Sequence, residues 1–500
     1  MKKLNSLLKD VDYKKIYGDE NCPISSLSIN LNETKDKSLF FIIKGQNFDG
    51  MNLFKDAYSK GAKAFISDRI FEHPDDITLV IVDNVRESLY KISRNFFDDP
   101  SKDLNVFGIT GSSGKTSVIY LLRNIFPNSA SIGSEGIYFL NEKVFEPEGV
   151  LTTPESHILN YYLKESLKKS IKNFFIEVSS FAVKGKRVYG IDFKGGIFLN
   201  FSITHHLKIH KNINDYLESK LKLKELVNGP FLINRDDPYS DFFKKDSSNY
   251  YFSYKNRADF YVENYSKSDD IYKFRINLLG KEYRIDLEEK NDIYSILPAI
   301  SLSYLFNLDI EEVIKKIKNI YKKPEGRWVI LNNDPLIVVD KANTPLSIEF
   351  LIDKIRDIKL KRKIVLFSFF EEEDIRETLL ITKLLIRNFD YIFISSDDSK
   401  EKTPFECNKN FIYFLKKFNV KYFFVEDRKE CIKRAIEFTK KGDGLFILGR
   451  GNEKNLRTKK GLISFNDVEV TKEILDGLNN TKLIKETIWV IFYLLYFHSF

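Results

Sequence analysis

Leu104-Asn-Val-Phe-Gly-Ile-Thr-Gly-Ser-Ser-Gly-Lys-Thr-Ser-Val-Ile-Tyr-Leu-Leu-Arg-Asn-Ile-Phe126 reads as an apolar strand, a glycine-rich turn and an amphipathic helix. Elements in that order present a nucleotide triphosphate to chemistry. Backbone N–H groups of Gly111, Ser112, Ser113 and Gly114, leading into a helix N-terminus, form a cradle for anions. Lys115 adds a mobile positive charge for the β- and γ-phosphates, and the Thr116 hydroxyl is a ligand type for Mg²⁺. Ser117 follows in the same turn and is counted with the ATP-binding residues, so ATP and Mg²⁺ are the expected cofactors. The usual phosphate-loop spacing fails by one residue, because the position five before Gly114 is Ile109 and the nearest glycine is Gly108.

Outward from this segment, 500 residues are enough for about three domains, each with its own core. Three cysteines, Cys22, Cys407 and Cys431, are odd in number and have no short pairing, which excludes a disulfide framework or structural zinc and favours a reducing compartment. A cytoplasmic location is expected, since the N-terminus lacks the continuous apolar run of a signal peptide. The net charge of +8 is spread over 79 basic and 71 acidic residues rather than gathered on one stripe, so no nucleic-acid partner is expected. The end of the chain, Thr487 to Phe500, is almost wholly apolar yet shorter than the roughly 20 residues that a spanning helix needs. A buried helix or strand is the simpler reading. Membrane contact of this tail beside Lys482 and Lys485 is the less favoured one.

Element patterns restart twice along the chain. Residues 1–100 carry the apolar run Leu39 to Gly45, a helix near Leu53 to Lys60 and a strand at Ala64 to Ser67, a small α/β unit. Residues 101–328 add short apolar runs at Phe174 to Val178, Gly196 to Asn200 and Phe231 to Asn234, the kind buried in a parallel sheet. Residues 329–480 hold a third series, with strands at Leu336 to Asp340, Ile364 to Phe367, Tyr391 to Ile394, Tyr422 to Val425 and Leu445 to Leu448, and read as a doubly wound domain. Residues 481–500 are the apolar tail. The fold class is thus α/β in three domains: a central parallel sheet of the P-loop ATPase kind and a C-terminal Rossmann-like domain.

Glu177, in Ile176-Glu-Val-Ser-Ser180, stands at the carboxyl end of a strand beside the phosphate loop, a position suited to holding Mg²⁺. Three of the six histidines fall in Asn200-Phe-Ser-Ile-Thr-His-His-Leu-Lys-Ile-His210, and clustering at a strand exit suggests metal or phosphate work. Lys220 lies on the next helix, where the residues alone give it no special role.

Taken together and in this order, the loop G-x-T-G-x-x-G-K-T and six further segments resemble the Mur ligase family, and within it the MurE branch, from about residue 24 to residue 472. The resemblance implies an ATP-dependent acid–amino-acid ligase of peptidoglycan precursor synthesis, and thus of cell wall biogenesis, cell shape and cell division. Its partners would be UDP-N-acetylmuramoyl-L-Ala-D-Glu and an L-amino acid, and it would act as a monomer. Leu39 to Gly45 with Asp49-Gly50 resembles the uridine-binding domain and places Ser28 near the uracil. Thr152, Thr153, Ser179 and Arg187 match the family's muramoyl-dipeptide contacts. His206 would be a second-metal ligand, and Lys220, carbamylated to N6-carboxylysine, would serve the metal as well; capping the amine with CO₂ turns a cation into a carboxylate. With Lys115 and Glu177 these form the implied catalytic set, and Thr116, Glu177, His206 and carbamylated Lys220 the metal set. Arg327 and Asp340 resemble residues that grip ATP, and Gly449-Arg-Gly-Asn-Glu453 resembles the family's G-K-G-H-E, with Glu453 on the incoming amine. Domain closure is expected to position the reactants.

The chain departs from the family where Phe181, Asn343 and Asn452 replace histidines, where His205 stands for an aspartate, and where Asp292 and Ser295 replace adenine-side asparagines. The amino-acid pocket departs furthest. Enzymes choosing meso-diaminopimelate carry D-N-P-R, whereas this chain has Asp397, Asp398, Ser399 and Lys400, without the arginine that forks onto a distal carboxylate. An acidic loop, Phe369-Phe-Glu-Glu-Glu-Asp374, adds negative charge. Lysine or ornithine is therefore favoured over meso-diaminopimelate. The alternatives are a MurF-type ligase and a degenerate, non-catalytic paralogue that binds nucleotide or UDP-sugar.

Overall fold

Short runs such as Leu39-Phe-Phe41, apolar at every position, can only be strands buried on both faces, and so they are in the computed structural model. It describes residues 1–45, 48–145, 152–202, 210, 212–268, 271–320, 327–356, 358–370, 375–399, 401–459 and 461–478. His206, Lys400, residues 371–374 of the acidic loop and the apolar tail lie outside the described residues.

The first sheet contains β1 (Tyr13–Tyr17), β2 (Ser26–Ser28), β3 (Ser38–Phe41), β4 (Ala64–Ser67) and β5 (Thr78–Val82) in the order β1-β5-β4-β3-β2, parallel except for β1. Helix α1 (Phe54–Ser59) packs Phe54 and Ala57 with Phe40 and Phe65 on one face. Helix α2 (Val85–Phe96) packs Leu89 and Ile92 with Leu39 and Phe41 on the other; it is N-capped by Asn84, whose side chain accepts from Glu87 N.

The second sheet is built on β6 (Asn105–Thr110), which feeds helix α3 (Lys115–Ile125). Then come β7 (Ser129–Gly133), β8 (Gly136–Phe139), β9 (Glu142–Phe145), α4 (Ser156–Lys168), β10 (Asn173–Glu177), β11 (Phe193–Phe198), α5 (Ile213–Leu226), β12 (Phe231–Asn234) and β13 (Asn249–Ser253). A meander follows, β14 (Phe260–Ser268), β15 (Ile271–Leu278) and β16 (Lys281–Leu287), then helices α6 (Ile293–Leu305) and α7 (Ile310–Ile320). The eleven strands run β9-β8-β7-β10-β6-β11-β12-β13-β14-β15-β16. The centre is parallel, as the sequence predicts. Both edges are antiparallel, which the sequence reading did not foresee: β7, β8 and β9 form one meander and β14, β15 and β16 the other. Short turns replace helical crossovers there, and such connections can only join antiparallel strands. Val118, Ile119, Leu121 and Leu122 of α3 share a core with Ile296 and Ile300 of α6 and with Val313 and Ile317 of α7.

The third sheet holds β17 (Val329–Asn333), β18 (Leu336–Asp340), β19 (Lys363–Leu366), β20 (Tyr391–Ile394), β21 (Tyr422–Phe424) and β22 (Gly444–Leu448), ordered β17-β18-β22-β19-β20-β21 and parallel except for β17. Helices α8 (Pro345–Arg356), α9 (Ile375–Asn388), α10 (Pro404–Lys417) and α11 (Arg428–Phe438) connect them, which is the doubly wound pattern. The first two sheets belong to one compact unit, residues 1–201 and 214–321, and the third to another. The cysteines are free, and burial pushes the Cys431 thiol up to about 12, leaving it inert at neutral pH. Among the described residues no helix is long and apolar enough to cross a membrane.

Candidate active site

Parallel strands deliver their loops to one edge, so the carboxyl ends of β6, β7, β10, β11 and β12 gather the polar groups of the second sheet. Gly114 precedes α3 with φ +83°, a left-handed conformation that a side chain would strain. The loop is braced from the exit of β11: Asn200 Oδ1 accepts from Ser112 N at 3.0 Å and from Ser113 N at 2.9 Å, and its Nδ2 donates to Ser113 O at 3.1 Å. The cradle therefore rests on the first turn of α3, where the N–H groups of Lys115, Thr116 and Ser117 have no partner within the helix. Lys115 Nζ donates to Gly111 O at 3.0 Å and lies 3.7 Å from Glu177 Oε1.

Glu177 closes β10 and is 3% exposed. Its Oε2 accepts from the Thr116 hydroxyl at 3.3 Å and from Ser134 N at 3.0 Å, and its backbone carbonyl accepts from Thr153 Oγ1 at 2.6 Å. Lys220, on α5, is fully buried near the same loop, with Nζ 4.8 Å from the centroid of Tyr216, whose hydroxyl is 3.2 Å from Ser112 Oγ. Burial pushes the Lys220 amine well below its ordinary range; the Lys115 charge adds to this, and Asp237 opposes it. Asp237 accepts from Phe201 N and Tyr239 N at the exit of β12, and burial raises its carboxyl.

Next to these, Thr153 and Ser179 share a hydrogen bond, and Ser179 caps a one-turn helix, Ser180–Lys184. Arg187 donates through Nε to Glu155 Oε1 at 2.9 Å and through Nη1 to Thr153 O at 3.1 Å, while Arg86 holds the other Glu155 oxygen at 3.1 Å. Thr152 accepts from Ser134 Oγ at 3.2 Å. Ser28, at the end of β2, is buried and accepts from Thr34 Oγ1 at 3.2 Å. The neighbouring Glu33 meets His157 of α4 at 2.9 Å, tying the first sheet to the second. Burial alone would raise the Glu33 carboxyl, but the His157 contact holds it below its ordinary value.

In the other unit, Asp340 ends β18, where it accepts from Trp328 N and Ala342 N, both at 2.7 Å, and lies 3.8 Å from Arg327 Nη1. Asp397 follows β20 and is bound by Arg450 Nη1 at 2.5 Å; the same nitrogen reaches Asp398 at 3.0 Å. Burial raises Asp397 against the pull of Arg450 and Arg428. Gly449, φ +113°, leaves only 3.3 Å between Asp397 Oδ2 and the position of an added Cβ. Glu453 holds Lys341 at 3.0 Å and faces Arg450 at 3.6 Å. Sequence reasoning missed Arg450, which its setting between two glycines signals, and missed Asn200 as the brace of the loop.

Residues 109–293 match the model of the Mur ligase middle domain and residues 326–451 that of the Mur ligase glutamate ligase domain. The UDP-N-acetylmuramoyl-L-alanyl-D-glutamate--2,6-diaminopimelate ligase 2 of Clostridium acetobutylicum is 33% identical over 492 residues, 95% of this chain and all of that protein. The chain belongs to the Mur ligase family. A solved structure of a UDP-N-acetylmuramoyl-L-alanyl-D-glutamate--2,6-diaminopimelate ligase has the same fold, with TM-score 0.63 and 19% identity over 95% of this chain and 99% of that one. So has MurF from Thermotoga maritima in complex with ADP, with TM-score 0.61 and 15% identity over 91% and 98%. As a Mur ligase the protein uses ATP with Mg²⁺, and its side chains fit both: a helix N-terminus and Lys115 for phosphates, a hydroxyl and a carboxylate as hard oxygen donors for the metal. Among the described residues no three His, Cys, Asp or Glu side chains cluster as ligands.

Proposed function

We propose that this Mur ligase is of the MurE type and acts in the cytoplasm, joining an L-amino acid to the D-Glu of UDP-N-acetylmuramoyl-L-Ala-D-Glu. The observation that carries the reading is the meeting of Lys115, Thr116 and Glu177 at one sheet edge beside Thr152, Thr153, Ser179 and Arg187. Curated relatives named as UDP-N-acetylmuramoyl-L-alanyl-D-glutamate--2,6-diaminopimelate ligases, 27–33% identical over nearly the whole chain, support it. The D-Glu γ-carboxylate takes the γ-phosphoryl group and ADP leaves; the amine then attacks the acyl carbon, phosphate departs and the amine's proton is released. Bound Mg²⁺ supplies charge neutralisation on the phosphates. Lys115 stabilises the charge that develops as the phosphoryl group moves, Glu177 and Thr116 hold the metal, and Arg187 with the two threonines orients the carboxylate substrate.

Lys220 suits carbamylation because its amine is buried, and burial favours the neutral form, which is the one that attacks CO₂. The nitrogen–carbon bond forms, one proton leaves, and the product is a carboxylate. Intact-mass measurement is expected to find one CO₂ added, and Lys220→Ala to lose activity that short free carboxylates partly restore. An unmodified, active wild type would remove this assignment.

The amino acid is one with a side-chain ammonium, lysine or ornithine. Arg450 stands at this strand edge with its guanidinium engaged by both Asp397 and Asp398, while the position of the family's forking arginine is Lys400. The relatives' names carry 2,6-diaminopimelate, which makes the comparison decisive. With ATP, Mg²⁺ and UDP-N-acetylmuramoyl-L-Ala-D-Glu, phosphate release and product mass are expected to favour lysine or ornithine. Faster turnover with meso-diaminopimelate would overturn the specificity and keep the ligase. No turnover with any of the three, while the UDP-sugar still binds, would point to a non-catalytic paralogue.

A further inference from the structure

The turn between β7 and β8, Gly133-Ser-Glu-Gly136, touches both halves of the site. Ser134 N donates to Glu177 Oε2 at 3.0 Å, and Ser134 Oγ donates to Thr152 Oγ1 at 3.2 Å. One residue thus joins the carboxylate assigned to the metal with a threonine assigned to the muramoyl-dipeptide. Gly133 leaves no room for error, because an added Cβ would stand 2.6 Å from Glu177 Oε2 and 3.0 Å from Glu177 Cβ. The turn is anchored from behind by Arg123 of α3, a 7% exposed side chain whose guanidinium lies 3.8 Å from the centroid of Tyr138 on β8 and donates to Ser131 Oγ on β7 at 3.2 Å. A guanidinium stacked on a ring and bonded to the adjacent strand holds both arms of the hairpin against α3. The line from Arg123 through Tyr120 and Ile119 to Thr116 bounds a small cavity that ends at Gly133, Ser134 and Glu177.

We infer that Ser134 is a positioning residue: its N–H aims the Glu177 carboxylate at the Mg²⁺ position, and its hydroxyl sets Thr152 for the UDP-muramoyl-dipeptide, with the hairpin fixed by Arg123. This rests on the ligase reading of the site. A carboxylate that pivots about its χ angles offers its oxygens to a metal only part of the time, whereas one with an oxygen pinned by a backbone donor presents the remaining lone pairs in a fixed direction.

The two arms separate experimentally. A fluorescent ADP analogue, titrated with MgCl₂ against the full-length protein, reads the metal arm without turnover. Gly133→Ala is expected to need at least about tenfold more Mg²⁺ for half-maximal effect on analogue binding, with binding in EDTA unchanged. Ser134→Ala keeps the N–H, so its Mg²⁺ dependence is expected to match the wild type while the KM for UDP-muramoyl-dipeptide rises several-fold. Arg123→Lys keeps the charge and loses most of the ring contact; it is expected to shift the Mg²⁺ half-point in the same direction as Gly133→Ala, by less, and it carries the metal arm alone should Gly133→Ala unfold. An unchanged Mg²⁺ half-point in whichever of these two variants folds, or an unchanged KM in Ser134→Ala, overturns the inference and leaves the ligase intact. A wild type whose nucleotide binding ignores Mg²⁺ overturns the metal arm of the inference, whereas one that releases no phosphate with lysine, ornithine or meso-diaminopimelate removes the ligase reading and this inference with it.

Discussion

Lys115→Met is expected to fold normally and to release phosphate about 10²–10³-fold more slowly, the loss that follows when one preorganised charge is taken from a developing anion. The methionine stem fills the space of the lysine stem, and the position is only 14% exposed, so packing changes little. What disappears is the ammonium between Gly111 O and Glu177, and with it the cation that neutralises Glu177. Because the charge counts most in the transition state, the fall should appear in kcat more than in the KM for the UDP-sugar. Lys115→Arg should not rescue, since a planar fork needs width that a loop braced by Asn200 does not provide. A measured loss below about tenfold would show that Lys115 is not the phosphate cation.

The phosphate loop, the strand ends and their order were legible because each is written in a few adjacent residues: Gly114 must be glycine where φ is +83°, and Leu336 to Asp340 is the strand it reads as. The edge meanders are legible in principle, since Tyr272-Lys-Phe-Arg-Ile-Asn-Leu278 buries Phe274, Ile276 and Leu278 alternately, but this alternation is a weaker signal than the continuous apolar runs of the central strands. Partnerships across the chain were not legible. Arg450 and Asp397 are 53 positions apart, and only the parallel arrangement of β22 with its neighbours brings their loops together. Asp397, which the sequence assigns to the amino-acid pocket, is paired with Arg450, a partner that no local pattern announces. Ser134 carried no signal at all, because the N–H it contributes belongs to every residue but proline.

The largest stability loss in the C-terminal unit is expected from Arg428→Met. Arg428 and Asp467 are both fully buried, and the guanidinium forks onto the carboxylate at 2.8 and 2.7 Å. Burial would lower the arginine's pKa, but Asp467 more than reverses this, so the guanidinium stays charged. The same guanidinium donates to Ser396 O after β20 at 3.0 Å and to Leu448 O at the end of β22 at 3.1 Å, thereby fixing the loops that carry Asp397 and Gly449. Removing it strands a buried carboxylate, and a broken buried pair costs about 3–5 kcal/mol. Adding Asp467→Leu should recover part of that loss by removing the stranded charge. Full recovery is not expected, since the two carbonyls stay without their donor, at about 1–3 kcal/mol each. Both tryptophans, Trp328 and Trp489, fall after residue 321, within the C-terminal unit, and Trp328 packs near Phe446 of β22, so urea unfolding followed by tryptophan fluorescence reads this unit. If the single variant lost less than about 0.5 kcal/mol, the pair would have to be solvated in the folded protein. If the double variant were less stable than the single one, the stranded Asp467 carboxylate would not be the source of the loss.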